Sequence, residues 1–382
     1  MQTLPRVSRR RMLGGAAAVA ATGFPMVNIG QFRLSAASPA TYSRRAVDLV
    51  RSSLVIDMLG ALKIDESPQF YGAPLSDRDE ADWRACGITS IHHATGMGGP
   101  NARTDTLEWI ALSQGYVARA AHLFSLVDKA ADLDRAKQQG RIAVILGLQN
   151  SEHFRDVADV ALFHQIGQRC SQLTYNTQNL LGSGSTERVD GGVTDFGAAI
   201  VAEMNKVGML VDVSHSGDRT TLDAIALSAK PIAITHSNCR ALVNHPRLKT
   251  DEAIKAMAAK GGVMGITGVR MFVAAKEPTT VAHIVDHIDH VVKLVGVEHV
   301  GIGSDSDLNG YDDMPPAKLA EMKAAYKASY AFRDKVDTDG FDHPRKVYDL
   351  TEELIRRNYS DANIAAVLGG NFRRLLGQVW GG

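Results

Sequence analysis

The feature that most constrains this chain is an alternation along its length. Eight short runs rich in apolar or β-branched residues recur: Leu54–Met58, Ile88–His92, Ile142–Leu148, Gln172–Tyr175, Met209–Ser214, Pro231–Thr235, Gly262–Thr267 and His299–Ser304. Several are almost continuously apolar, as strands covered on both faces must be. Helical spacing fills the gaps. Phe196–Lys206 ends before Gly208, Asp218–Ala229 starts on an Asp and ends before Pro231, Asp251–Lys260 stops at a Gly-Gly pair, and Val281–Leu294 carries an apolar stripe. Strand–helix alternation of this kind builds a parallel sheet, and eight units close it into a (β/α)8 TIM-type barrel of the α/β class. A Gly-rich phosphate loop after the first strand is missing, which argues against a dinucleotide-binding sheet. Beyond the eighth strand, helices are expected over Met314–Val336, Lys346–Arg357, Ser360–Leu368 and Asn371–Val379, forming a C-terminal helical extension on the barrel.

The 382 residues fit one such barrel without a second domain. Lys+Arg and Asp+Glu both number 42, so the chain lacks the basic excess of a nucleic-acid binder. Cys86, Cys170 and Cys239 are few, odd in number and scattered, which reads as buried small residues rather than a disulfide framework. At the N-terminus, Ser8-Arg9-Arg10-Arg11-Met12-Leu13 precedes a mildly apolar stretch from Gly14 to Gly23, too short and weakly apolar to span a membrane. It resembles a twin-arginine export signal. Residues 1–40 are therefore set aside as leader, with small residues at 36–40 as the cleavage region, and 41–382 as the folded domain, periplasmic or secreted, with no membrane span in the mature form.

In an eight-stranded α/β barrel, chemistry collects at the C-terminal ends of the strands. The fifth run ends in Asp212-Val213-Ser214-His215, the sixth in Thr235-His236-Ser237-Asn238 and the eighth in Ser304-Asp305-Ser306-Asp307. Two imidazoles and a carboxylate converging above the barrel suit a zinc-class ion and a proton shuttle for amide hydrolysis. A single strand-end histidine is commonly a hydrogen-bonding structural residue; three polar strand ends together favour a site. His92 and His93 end the second run and His153 follows the third, so each is open to either role. His283, His287 and His290 share one face of an outer helix and are expected to be solvated.

These residues carry a resemblance. Gly208–Ser216 (GMLVDVSHS), Ile232–Arg240 (IAITHSNCR), Asn244-His245-Pro246-Arg247, Gly261–Ile266, Val300–Asp305 and Gly369–Leu375 are similar in order and spacing to the renal dipeptidase (membrane dipeptidase) family of zinc peptidases, from about residue 50 to the C-terminus. The resemblance implies two zinc ions bridged by a glutamate. Carried over position by position, it makes His215 and His236 metal ligands, Arg240 the grip on the substrate carboxylate, and Asp305 the acid/base. It also exposes departures. Asp57 is kept, but Leu59 and Ala61 stand where the family has a histidine and an aspartate, Gln149 replaces the bridging glutamate, and Tyr175 replaces a substrate-binding histidine. The first metal position is therefore expected to be lost, leaving His215, His236 and either Gln149 or Asp305 for one zinc ion at most. Lys63, Asp65, His92, His93 and His153 are candidate replacements.

Two functions follow as expectations. One is a metal-dependent hydrolase for a small peptide or N-acyl amino acid, with Tyr175 reshaping the pocket. The other is a barrel that has lost its metal centre and binds a small molecule without catalysis. A homodimer is an analogy to the family.

Overall fold

The computed structural model describes residues 31–32, 41–64 and 67–381. The twin-arginine segment and the cleavage region lie outside the described residues. Among the described residues, no helix is long and apolar enough to cross a membrane.

Eight parallel strands close into a barrel: β1 (Ile56–Asp57), β2 (Ser90–Thr95), β3 (Ile142–Leu148), β4 (Gln168–Gln172), β5 (Leu210–Asp212), β6 (Ala233–Ser237), β7 (Val263–Ile266) and β8 (Val300–Ile302). Neighbours run β2–β1–β8–β7–β6–β5–β4–β3, and β3 pairs back onto β2 from Ser90↔Ala143 to Thr95↔Leu148. A further short strand, Phe124–Leu126, pairs in parallel with the first half of β3 and stays outside the ring.

The barrel is filled by Ile56, Met58, Ala143, Ile145, Cys170, Leu210, Ala233 and Val263. Phe372, Leu375, Leu376 and Val379 join the same cluster from the terminal helix Asn371–Trp380. Their i, i+3, i+4, i+7 spacing puts all four on one helix face. That helix caps the N-terminal mouth: Asn371 donates to the Val297 and Val300 carbonyls, and the Trp380 indole donates to the Arg169 carbonyl. The opposite mouth is left for the polar strand ends.

Helix Asp195–Val207 is capped by the Thr194 hydroxyl and ends at Gly208, whose φ of 82° is the left-handed turn that glycine takes without a Cβ clash. Asp218 does not cap its helix, contrary to expectation. Gly217 is the cap residue, and Asp190, from the preceding loop, accepts the Arg219 and Thr220 amides.

The fourth strand also moves from its expected place. It spans Gln168–Gln172, whose sequence QRCSQ reads as polar. Most of their polar groups have local partners that allow burial: Gln168 with His153, Arg169 with Asp128 and two carbonyls, Ser171 with Ser151, while Gln172 Oε1 is buried without one. The expected helix over Met314–Val336 is real only as Pro316–Ala324, followed by a 3-10 turn at Ala328–Tyr330. Ala331 takes φ 52° and ends it, and Asp312 accepts the Val336 and Asp337 amides, pinning the return as open chain. The last two expected helices run together, joined by a π-helical stretch at Ala366–Gly370. All three cysteines are free and buried, as expected.

Candidate active site

Asp212 at the end of β5 organises the site. Its Oδ1 accepts the Ser214 amide, the Ser214 hydroxyl (2.6 Å) and the Thr235 amide, and its Oδ2 accepts the Thr235 hydroxyl at 2.6 Å. A hydroxyl has one proton, and a carboxylate is its strongest nearby acceptor. Thr235 Oγ1 therefore stands as an acceptor toward His236 Nδ1, 2.9 Å away. On the other side, His215 Nδ1 donates to Asn176 Oδ1 at 2.7 Å. Both imidazoles are thus fixed with the proton on Nδ1 and the lone pair on Nε2. Those two Nε2 atoms face one another at 2.9 Å.

Burial, first, and then the Arg247 cation hold both histidines well below their usual pKa, with Lys249 acting in the same direction. Two neutral rings with converging lone pairs repel unless something positive lies between them. Neutral imidazoles with their far nitrogens tied are what zinc-class ions select. The pair supplies two ligands of the kind such an ion takes. Among the described residues, no third His, Cys, Asp or Glu completes a cluster with them.

The strand ends are clamped from beneath by one loop. Arg247, 1% exposed, donates to the carbonyls of Ser214 and His236, and Lys249 Nζ donates to the Val213 and Ser216 carbonyls and the Thr221 hydroxyl. The carbonyls on either side of His215 are therefore held by two buried cations, and Lys249 is pushed down to about 7 by that burial.

Tyr175, whose ring covers His215, also lines a cavity of about 300 Å³ together with Leu59, Ala61, Gln149, Asp305 and Tyr326, and neither histidine is itself part of that lining. Asp305 is lifted from 3.8 to about 7, chiefly by burial; Arg247 and a hydrogen bond from Tyr311 pull it back, and Asp57 pushes it further up. Its backbone is left-handed at φ 61°, as is that of Asn176, also at φ 61°. Such conformations are costly for residues with a Cβ and cluster where geometry serves a site. Gln149 donates its amide to the Ala94 carbonyl, which leaves Oε1 as its acceptor. Leu59 and Ala61 present only hydrocarbon to the cavity. The wall that would hold a second ion thus has no anionic donor at these three positions, and the dinuclear arrangement does not fit this chain. Tyr175 stacks on the His215 ring, centroids 4.2 Å apart and planes at 19°.

Arg240 is not among the residues lining the cavity. Its guanidinium is engaged with both carboxylate oxygens of Asp218 and with the Pro246 and Leu248 carbonyls. Arg247 is the cation that acts on all three of His215, His236 and Asp305, and the Nε atoms of both Arg240 and Arg247 are buried without a partner. In the sequence the Arg247 motif, Asn244-His245-Pro246-Arg247, carries no local sign of that role.

The candidate replacements sort clearly. His93 meets the Tyr71 hydroxyl at 2.9 Å and packs with its ring tilted against Trp109; His153 is bonded at both nitrogens, to Asn150 and Gln168; Lys63 pairs with Asp307. His92 donates Nδ1 to the Met58 carbonyl, and its buried Nε2 has no partner. Asp65 lies outside the described residues. His287, expected on the surface, is fully buried: Nδ1 accepts the Cys239 amide and Nε2 donates to the Val273 carbonyl. The loop after β6 folds over that helix and covers it.

With this geometry in view, comparison with known proteins is informative. Residues 77–324 match the profile of Membrane dipeptidase (Peptidase family M19). Dipeptidase verJ of Clonostachys rogersoniana is 30% identical over 277 residues, covering 72% of this chain and 65% of that protein. Dipeptidase tcpJ of Claviceps purpurea is 26% identical over 295 residues, 76% of this chain and 62% of that one. The chain thus spans less than two thirds of the length of these curated relatives. The crystal structure of an amidohydrolase from Pseudomonas aeruginosa superposes with a TM-score of 0.77 at 31% identity, covering 88% of this chain and 99% of the other.

Proposed function

The chain belongs to the membrane dipeptidase family, peptidase family M19, and from that premise we propose that it is a metal-dependent hydrolase cleaving an amide or peptide bond in a small dipeptide-like or N-acyl amino-acid substrate. The observation that carries the reading is the His215–His236 pair, with both Nδ1 atoms tied and both Nε2 lone pairs converging at 2.9 Å. His215 and His236 would hold one zinc ion, with Gln149 as the candidate third contact. Zinc bound there would supply Lewis acidity toward the scissile carbonyl and lower the pKa of water.

The remaining work belongs to the chain. Asp305, near pKa 7, accepts a proton from the attacking water and returns it to the leaving amine, since a group poised near the working pH does both. Burial, with Arg247 adding to it, keeps the two histidines neutral, and Arg247 favours the ionised form of Asp305. Tyr175, Tyr311 and Tyr326 give the cavity an aromatic wall. Arg240, through the Pro246 and Leu248 carbonyls, shapes the loop that presents Arg247. The twin-arginine motif at Arg9-Arg10 supports export to the periplasm or beyond.

The retained acid/base favours catalysis over a binding-only barrel. Elemental analysis of the purified protein tests the reading, together with hydrolysis of dipeptides and N-acyl amino acids with and without a chelator. About one zinc per chain and chelator-sensitive hydrolysis are expected. No metal after incubation with zinc, and no hydrolysis, would reject it.

A further inference from the structure

Tyr175 reaches over His215 from the loop after β4. Its ring stacks on that imidazole and also lies against Gly96, where an added Cβ would fall 3.1 Å from Tyr175 Cε2. Its hydroxyl meets the hydroxyl of Tyr326 at 2.7 Å. Tyr326 belongs to the segment after β8 that follows the exposed helix Pro316–Ala324, which buries none of its residues.

Both tyrosines line two cavities at once. One, about 300 Å³, contains Gln149 and Asp305. The other, about 340 Å³, is lined by Asn176, Thr177, Thr186, Lys327 and Tyr330 besides the shared pair. The hydroxyl contact therefore stands where two open clefts adjoin.

The half of the contact carried by Tyr326 is lightly anchored. Tyr311, Leu319, Met322, Tyr326 and Phe332 pack, only partly buried, on a small cluster around Phe272 and Tyr330 that is separate from the two clusters of the barrel. A segment resting on a small satellite cluster opens at lower cost than the strands beneath it.

We propose that Tyr175 and Tyr326 are the specificity-determining pair of this site. Their contact confines the substrate to the chamber holding Asp305, and parting them admits a longer amide into the second chamber. That chamber offers aromatic faces from Tyr326 and Tyr330, hydroxyl and amide groups from Thr177, Thr186 and Asn176, and the Lys327 ammonium. Its chemistry suits an extended acyl or peptidyl group ending in a carboxylate. The inference rests on the hydrolase reading above.

The test compares kcat/KM of the zinc-loaded wild type, Y326F and Y326A on alanyl dipeptides, alanyl tripeptides and N-acyl alanines of increasing acyl length. In Y326A the long-to-short ratio should rise about tenfold, in line with opening a pocket by a side chain, and in Y326F by less. A ratio within about twofold of wild type in Y326A overturns the proposal; if Y326A does not fold, the direction of change in Y326F decides. A second readout needs no activity: deuterium exchange at the His215 C2 position, followed by mass spectrometry. It should quicken several-fold in Y326F, and an unchanged rate overturns the partition. Should the wild type cleave no amide, the hydrolase reading falls, and the exchange rate alone decides whether the two tyrosines form the partition.

Discussion

Asp212 and His236 do not bond to each other, yet Asp212 decides which nitrogen of His236 is bare. It takes the Thr235 hydroxyl proton at 2.6 Å, so Thr235 Oγ1 is left to accept from His236 Nδ1 at 2.9 Å. Outer partners of this kind fix ligand orientation and typically change metal affinity by about 10–100-fold. Thr235→Val should therefore weaken zinc binding by about that factor, read by competition with a chromophoric chelator. An affinity equal to wild type, in a variant with unchanged melting temperature, would show that the hydroxyl does not set the tautomer.

The cavity wall predicts its own repair. Leu59, Ala61 and Gln149 line one chamber and offer no anionic donor. Leu59→His, Ala61→Asp and Gln149→Glu combined should raise bound zinc from about one to about two per chain, by elemental analysis, since the added donors are the types zinc accepts. A metal content that stays put would mean that these positions do not face a common ion.

The two arginines should separate in stability. Removing Arg247 strands the buried carbonyls of Ser214 and His236, whereas Arg240 is partly exposed and bonds chiefly at the loop surface. Arg247→Met is expected to cost about 3 kcal/mol or more in urea unfolding, and Arg240→Met about 1 kcal/mol. Equal losses would remove the case for Arg247 as the clamp of the histidine-bearing strand ends.

Asp305 gives a pH test in the metal-free protein. Its folded pKa of about 7 stands above the usual 3.8, so the protonated form is favoured in the native state. That contribution is fully present below about pH 4 and is lost as pH rises through about 7. Asp305→Asn should match wild type near pH 4 and exceed it at pH 8 by about 2–4 kcal/mol. A difference that does not vary with pH would show that Asp305 is not held protonated by burial.

Much of this protein could be read before its structure. Ile142–Leu148 was expected with the bounds it has, because a fully apolar run bounded by Arg141 and Gln149 has few other fates. The strand at Gln168–Gln172 was misplaced because its polar side chains find buried partners, such as Ser151 and His153, that spacing does not reveal. His287 was misread for the same reason: periodicity puts it on a helix face, but only the fold brings Cys239 and Val273 onto that face. Arg240 and Arg247 are both in motifs, and nothing local says that Asp218 engages the first.

By itself, the sequence determined the barrel, the strand ends that carry His215, His236 and Asp305, and the loss of metal donors at Leu59, Ala61 and Gln149. Those are properties of local periodicity and of residue chemistry, which no packing alters. The tertiary structure alone decided the protonation of the two histidines, the partners that engage Arg240 and Arg247, the near-neutral Asp305 and the contact between Tyr175 and Tyr326. Each depends on burial and on partners from distant parts of the chain, and a tyrosine hydroxyl 151 residues away is a neighbour only once the barrel has closed.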